Sequence, residues 1–277
     1  MRSIAIMNQK GGVGKTTTAV NLSAALAAVG QRVALVDLDP QAHATLHLGV
    51  EPQPEELSIY NVLTAKTRLG EVMRPVSENL WLVNSSLDLA AAELELVGVI
   101  GREIILRDKL RDDPPAVDYL FIDCPPSLGI LTLNALAAVR EVFIPLQPHF
   151  LALHGLSKLL ETIDLVTGRL NDRLRLSGVV LCMFDAGTRL AVEVGQDVEK
   201  FFANARGQAT PWAAAEVFQT RIRRNIRLAE APSFGQSIFQ YAPDSNGAGD
   251  YRHLAQEVVA MPAGDAKASI DVTTTVE

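Results

Sequence analysis

The stretch that decides the fold runs Ile4-Ala5-Ile6-Met7-Asn8-Gln9-Lys10-Gly11-Gly12-Val13-Gly14-Lys15-Thr16-Thr17. Ile4–Asn8 predicts a buried strand. Lys15 to Val29 predicts a helix, with Val20, Ala24 and Ala27-Ala28 on one face and Gly30 closing it. Between them, Gly11, Gly12 and Gly14 let the backbone wrap closely around an anion with several N–H groups directed inward. The helix start adds partial positive charge at the same place. Lys15 has the length to reach the outer phosphates of a nucleoside triphosphate, and the Thr16 hydroxyl can bind Mg2+. A glycine-rich turn that binds nothing is the competing reading, and the strand–turn–helix setting disfavours it.

Working outward, Val33–Asp37, Tyr119–Asp123, Glu141–Leu146 and Gly178–Met183 are further short apolar runs. Helical patterns cover Leu87–Leu110, Ile130–Val139, His154–Leu170 and Leu190–Ala203. Apolar strands alternating with helices predict an α/β fold with a mostly parallel, twisted sheet and helices on both faces. Two of these strands end in carboxylates. Val36-Asp37-Leu38-Asp39-Pro40-Gln41 closes one, and strand alternation puts Asp37 and Asp39 on the same side. Phe121-Ile122-Asp123-Cys124-Pro125-Pro126-Ser127 closes another and sets Asp123 at its carboxyl end, where open α/β sheets bind ligands. We expect one domain over 1–261, with a last helix over 247–261, and a disordered tail over 262–277 that is rich in Ala, Gly, Asp and Thr.

Composition narrows the class. The 277 residues are 48% hydrophobic and 21% charged, which excludes global disorder and a fibrous repeat. Two cysteines cannot staple a chain of this length, so reduced thiols and a cytoplasmic location are expected. Met1-Arg2-Ser3 leads straight into a short apolar run without a signal-peptide pattern, and no run approaches a membrane span. The net charge of −7 argues against a wholly basic nucleic-acid coat, though not against a local basic face.

The phosphate loop departs from the common P-loop pattern, with Gln9 where glycine is usual and a second lysine, Lys10. Lys10 is either another local cation or a residue that points out of the loop toward a facing subunit. The motif resembles the deviant Walker-A loop of the ParA/MinD family of ATPases, a branch of the P-loop NTPase fold. That resemblance implies binding through Lys10, Gly11, Gly12, Val13, Gly14, Lys15, Thr16 and Thr17, with Lys10 reaching across an ATP-sandwich homodimer. Lys10, Lys15 and Asp39 then carry catalysis, Asp39 positioning the attacking water. Thr16 and Asp123 hold Mg2+, with Asp37 supporting the metal shell. Ala42-His43 stands where the family commonly has Gly-Asn.

The resemblance extends over about residues 1–260. Leu131-Thr132-Leu133-Asn134-Ala135-Leu136 looks like the helix after the family's second switch. Arg224-Asn225-Ile226-Arg227-Leu228-Ala229-Glu230-Ala231-Pro232-Ser233-Phe234-Gly235 is similar to a segment of chromosomal, Soj-like ParA proteins, and implies that Arg224 and Asn225 contact the base or ribose. The implied activity is slow ATP hydrolysis stimulated by a ParB-like centromere-binding protein, with the ATP dimer held non-specifically on nucleoid DNA for chromosome or plasmid partition. Arg189, Arg221, Arg223 and Arg227 are the implied DNA contacts. A solvated charged face is the ordinary reading of such a run. Arg223 replaces a usual proline, and Arg189 lies two residues beyond a position where the family has arginine.

Three alternatives stay open. A MinD-like membrane ATPase would end in a basic amphipathic helix, which the segment after Pro262 does not resemble. An iron–sulfur carrier would need interface cysteines, whereas Cys182 sits in a strand run and reads as core. A ParA-like positioner of another cargo would share nearly all these residues. His43 and His47 at helical spacing lack a third ligand and read as a solvated helix, and Trp81 and Trp212 read as packing residues.

Overall fold

The computed structural model describes residues 1–53 and 55–262. Of the expected disordered tail, all but Pro262 lies outside the described residues. In chain order the elements are β1 (Arg2–Ile6), α1 (Lys15–Ala28), β2 (Val33–Asp37), α2 (His43–His47), α3 (Ile59–Thr64), α4 (Leu69–Val72), β3 (Met73–Ser77) and β4 (Leu80–Val83). There follow α5 (Leu89–Glu95), α6 (Ile105–Asp112), β5 (Tyr119–Asp123), α7 (Ile130–Ala138), β6 (Glu141–Leu146), α8 (Ala152–Arg169), β7 (Arg175–Phe184) and α9 (Arg189–Ala205). The chain closes with β8 (Glu216–Val217), β9 (Ile222–Arg223), α10 (Ile226–Glu230), α11 (Ile238–Tyr241) and α12 (Asn246–Ala260).

The strands form one sheet in the order β3-β4-β2-β5-β1-β6-β7-β8, with β9 paired to the far end of β7. All pairings are parallel except β3 with β4. The apolar runs explain this arrangement. Every residue of β2, β5 and β6 is buried, as a strand covered on both faces requires. Side chains alternate between two cores. Ile4 and Ile6 of β1 join Leu22 of α1 and Leu254 of α12 on one face. Ala5 and Met7 join Leu136 of α7 and Leu156 of α8 on the other. Trp81 and Trp212 pack against that second core, as expected.

Two expectations are corrected. The pattern over Leu87–Leu110 is not one helix. It breaks into α5, a 3-10 turn over Leu96–Gly98 and α6. Gly101 takes φ +73 in the interruption, a conformation no helix interior contains. Leu94 and Ile100, which gave the segment its apolar period, are 78% and 100% exposed. The antiparallel β3–β4 ribbon was also absent from the sequence reading. Pro75 masks β3, and proline is tolerated there because β3 is an edge strand.

The histidine pair divides in a way the expected solvated helix does not describe. His43 is exposed, but His47 is 1% exposed and its Nε2 has no hydrogen-bond partner. Burial pulls the His47 pKa down to about 4 from 6.5, partly opposed by a backbone contact with Gln236. The folded state therefore holds His47 neutral where the unfolded chain takes up a proton. Its share of stability is full above pH 6.5 and is lost as pH falls toward 4. The loss is on the order of 3 kcal/mol. Replacing His47 by Gln should flatten the fall of Tm between pH 6.5 and 4, measured by thermal melts across that range.

Candidate nucleotide-binding site

The loop between β1 and α1 is held from below by Asn8. Its Nδ2 donates to the Pro145 carbonyl at the end of β6 (2.8 Å), and its Oδ1 accepts the Lys10 N–H (3.0 Å). Gly12 and Gly14 then adopt φ +73 and +96, which side chains disfavour. Gly14 is the N-cap of α1 and offers no side-chain cap, and the first turn carries no acid. The first N–H groups of the helix are thus left for an anion.

This loop forms part of a cleft of about 950 Å3. Gly11, Gly12, Gly14, Lys15, Thr16 and Thr17 line it, together with Asp39, Arg224 and Asn225. Val13 turns inward and is buried. Lys15 is 7% exposed, and its ammonium donates to the Lys10 carbonyl (3.1 Å). Burial lowers the Lys15 pKa, while Asp123 and Asp39 act to raise it. Lys10 does not line the cleft. Its exposed side chain runs outward, and Nζ lies 2.8 Å from His149 Nε2 in the loop after β6.

Behind the loop lie the carboxylates. Asp37 and Asp123 are register partners at the ends of β2 and β5, 0% and 1% exposed. Burial raises both pKa values, and each carboxylate sits in the field of other acids, Asp123 in that of Asp37 above all. Asp37 is well supplied with donors: Asp39 N–H (3.2 Å), Thr45 N–H (2.8 Å) and the Thr45 hydroxyl (2.7 Å). Neither carboxylate oxygen of Asp123 meets a donor at full hydrogen-bond geometry among the described residues, although the Thr16 hydroxyl lies close enough to act against the rise in its pKa. Asp39 accepts the Gln41 N–H at 2.9 Å and lines the cleft. Ala42 follows in the left-handed region at φ 53, where a residue with a Cβ costs about 1 kcal/mol relative to glycine.

The far side of the cleft comes from β7 and the segment around β9. Asn225 caps α10 by accepting the Arg227 N–H (2.8 Å), leaving its amide donors for other partners. Cys182 lines the cleft, is buried within the core as expected, and has its thiol pKa pushed up to about 12. Cys124 is likewise buried, with its pKa raised by burial and Asp123. Neither thiol stands at a surface that a cluster shared between subunits would need.

Arg189, Arg221, Arg223 and Arg227 lie around the carboxyl end of β7, each paired with an acid of its own chain. The partners are Glu193 (2.6 Å), Glu199, Asp250 (2.6 Å) and Glu230 (2.8 Å). Arg223 also lines the nucleotide cleft, a position the sequence reading did not give it. The sequence reading missed Asn8, Thr45, Ser85 and His149 altogether. Asn8, Ser85 and His149 are isolated polar residues in loops and Thr45 sits in the one-turn helix α2, so none belongs to a readable periodicity and only their contacts reveal them.

A backbone cradle for phosphate, backed by a buried carboxylate at the end of a neighbouring strand, is the arrangement of a P-loop ATPase. The comparisons agree. Residues 1–176 match the family model described as an AAA domain. The chain is 47% identical to the sporulation initiation inhibitor protein Soj of Bacillus subtilis over 93% of its own length and 98% of that protein. It is 46% identical to the chromosome-partitioning ATPase Soj of Thermus thermophilus, over 94% of this chain and 96% of the relative. A solved structure of cobyrinic acid a,c-diamide synthase from Mycobacterium smegmatis, with bound ATP analog and magnesium, matches with a TM-score of 0.77 and 35% identity over 94% of each chain. The chain belongs to the ParA/Soj family of P-loop ATPases.

Burial and the neighbouring Asp37 disfavour the charged form of Asp123 and raise its pKa, so this carboxyl costs folding free energy where it stands. Asp123→Asn should therefore raise the Tm of the nucleotide-free protein while sharply lowering Mg-ATP turnover. Melts and a phosphate-release assay on the same preparation check both halves.

Proposed function

We propose that this ATPase partitions a chromosome or plasmid by cycling between an ATP-bound homodimer on DNA and a released ADP form. The observation that carries the reading is the split between the two loop lysines. Lys15 is buried in its own cleft, whereas Lys10 stands outside it with an exposed side chain. Lys10 Nζ, which lies 2.8 Å from His149 Nε2 outside the cleft, would exchange that partner for the phosphates of a facing subunit, so that ATP occupancy and dimerisation become one event.

The site's residues fit a magnesium ion. Asp123 presents two buried, unsatisfied oxygens, and Thr16 opens α1 beside the phosphate cradle. Among the described residues no three His, Cys, Asp or Glu side chains converge on a metal. The ion would thus be held by Thr16, by ATP, and by Asp123 and Asp37 through water. When bound, it supplies charge neutralisation on the β and γ phosphates. Gly11 to Thr17 cradle the phosphates, and Arg224 and Asn225 contact the base or ribose. Asp39 orients the attacking water, and Lys10 and Lys15 stabilise charge developing on the transferred phosphoryl group. Intrinsic turnover is slow, and a ParB-like partner accelerates it and releases the dimer.

DNA binding is non-specific and runs through Arg189, Arg221, Arg223 and Arg227. The supporting observation is charge distribution. Residues 166–227 carry 10 Lys+Arg and 6 Asp+Glu, while residues 39–165 carry 9 and 18. The ion pairs of Arg189 and Arg227 are exposed, contribute little, and do not forbid phosphate contacts. Arg221 and Arg223 are held more firmly, Arg223 by the buried carboxylate of Asp250. Two such faces in one dimer bind more tightly than one. The protein is cytoplasmic and nucleoid-associated in the ATP state. No helix among the described residues is long and apolar enough to cross a membrane.

DNA retention should require ATP and weaken steeply with added salt. Binding of random-sequence duplex with ATP, with ADP and without nucleotide, at two salt concentrations, tests this. Equal binding in all three nucleotide states would reject the switch. Lys10→Ala should still bind ATP yet remain monomeric by light scattering, and a normal ATP dimer would reject the role of Lys10. Asp39→Ala should trap the ATP dimer with little turnover.

A further inference from the structure

A closed circuit of hydrogen bonds surrounds the backbone of Asp39. Its N–H donates to Asp37 Oδ1 (3.2 Å). Asp37 Oδ2 accepts the Thr45 hydroxyl (2.7 Å). That hydroxyl oxygen in turn accepts the Ser85 N–H (3.0 Å). The Ser85 hydroxyl donates to the Asp39 carbonyl (2.8 Å) and completes the circuit. Thr45 and Ser85 are both 0% exposed. Both main-chain polar groups of Asp39 are thereby fixed, one on either side of its Cα.

We infer that Thr45 and Ser85 are positioning residues for hydrolysis, clamping Asp39 so that its carboxylate faces the attacking water. The circuit draws on three separate parts of the fold: the end of β2, the short helix α2, and the segment after β4. No single local turn would produce it. Ser85 does not touch the cleft, and neither does Thr45. Their hydroxyls act only through Asp37 and Asp39. The requirement is geometric, because a displacement of about 1 Å at a positioning group can cost on the order of 100-fold in rate. Local order alone does not explain why both ends of one residue are tied by side chains buried elsewhere.

The circuit also reaches beyond the site. Asn84, next to Ser85, accepts the Ile59 N–H of α3 (3.0 Å), and Ser86 accepts the Leu89 N–H of α5 (3.0 Å). The segment 84–86 is thus linked to Asp39 by two routes, the Ser85 hydroxyl directly and the Ser85 N–H through Thr45 and Asp37.

This inference rests on the reading of Asp39 as the water-positioning carboxylate, and the test separates the two. Ser85→Ala, Thr45→Val and Thr45→Ser are made alone and in an Asp39→Ala background. Turnover is followed by phosphate release, and ATP affinity by a fluorescent analogue. We expect Ser85→Ala and Thr45→Val to lower kcat about tenfold without changing the Kd for ATP. Thr45→Ser, which keeps the hydroxyl, should restore turnover. Neither change should lower the residual rate further once Asp39 is Ala. Wild-type kcat in both Ser85→Ala and Thr45→Val would overturn the clamp. So would a loss carried by ATP affinity, or additive losses in the Asp39→Ala background. If Thr45→Val fails to fold, Ser85→Ala decides alone, because it removes one hydroxyl and leaves Asp37 its donors. Wild-type turnover by Asp39→Ala itself would instead remove the reading of Asp39.

Discussion

Two acids side by side in a dry sheet are the constraint around which this molecule is organised. Asp37 and Asp123 are neighbours in register on β2 and β5, both buried, and each disfavours the charge of the other. The surroundings answer unequally. Asp37 receives three donors from Asp39 and Thr45, whereas Asp123 has only the Thr16 hydroxyl nearby and no donor at full hydrogen-bond geometry among the described residues. Lys15 supplies opposing charge, itself discouraged by burial. The two acids are thus short of opposing positive charge. A phosphate-bound cation held as proposed would offset their repulsion and favour the nucleotide-bound state.

The parts of this architecture that are periodic or glycine-marked were legible in the sequence. Tyr119–Asp123 and Glu141–Leu146 are fully apolar except at their ends, and the structure keeps both boundaries. The glycines that let the loop wrap around an anion include Gly12 and Gly14, which take φ +73 and +96. Leu87–Leu110 misled because an apolar period does not reveal which side of a segment is buried. Leu94 and Ile100 keep the period yet face outward. His47 misled in the opposite sense, since a polar residue at helical spacing looks exposed until Gln236 and its neighbours cover it. Thr45 and Ser85 were out of reach for a third reason: forty residues of chain separate partners 3.0 Å apart.

Charge shows how sum and arrangement differ. The net of −7 describes a chain in which residues 166–227 carry a basic excess amid acidic neighbours, and part of that excess is already engaged. Each arginine proposed to meet DNA holds a carboxylate of the same chain. Polyanion binding, as proposed, would exchange one partner for another and leave the local carboxylates nearby to compete.

The edges of the sheet carry a last consequence. β3 closes one side with Pro75 and a register irregularity beside it, and β8 closes the other with only two residues. Proline removes a donor from the edge, and so short a strand offers little to pair with. Neither margin is a template for adding a strand from another copy. Higher assembly of this protein is consequently steered away from backbone ladders, which grow without limit, and toward side-chain surfaces, which close.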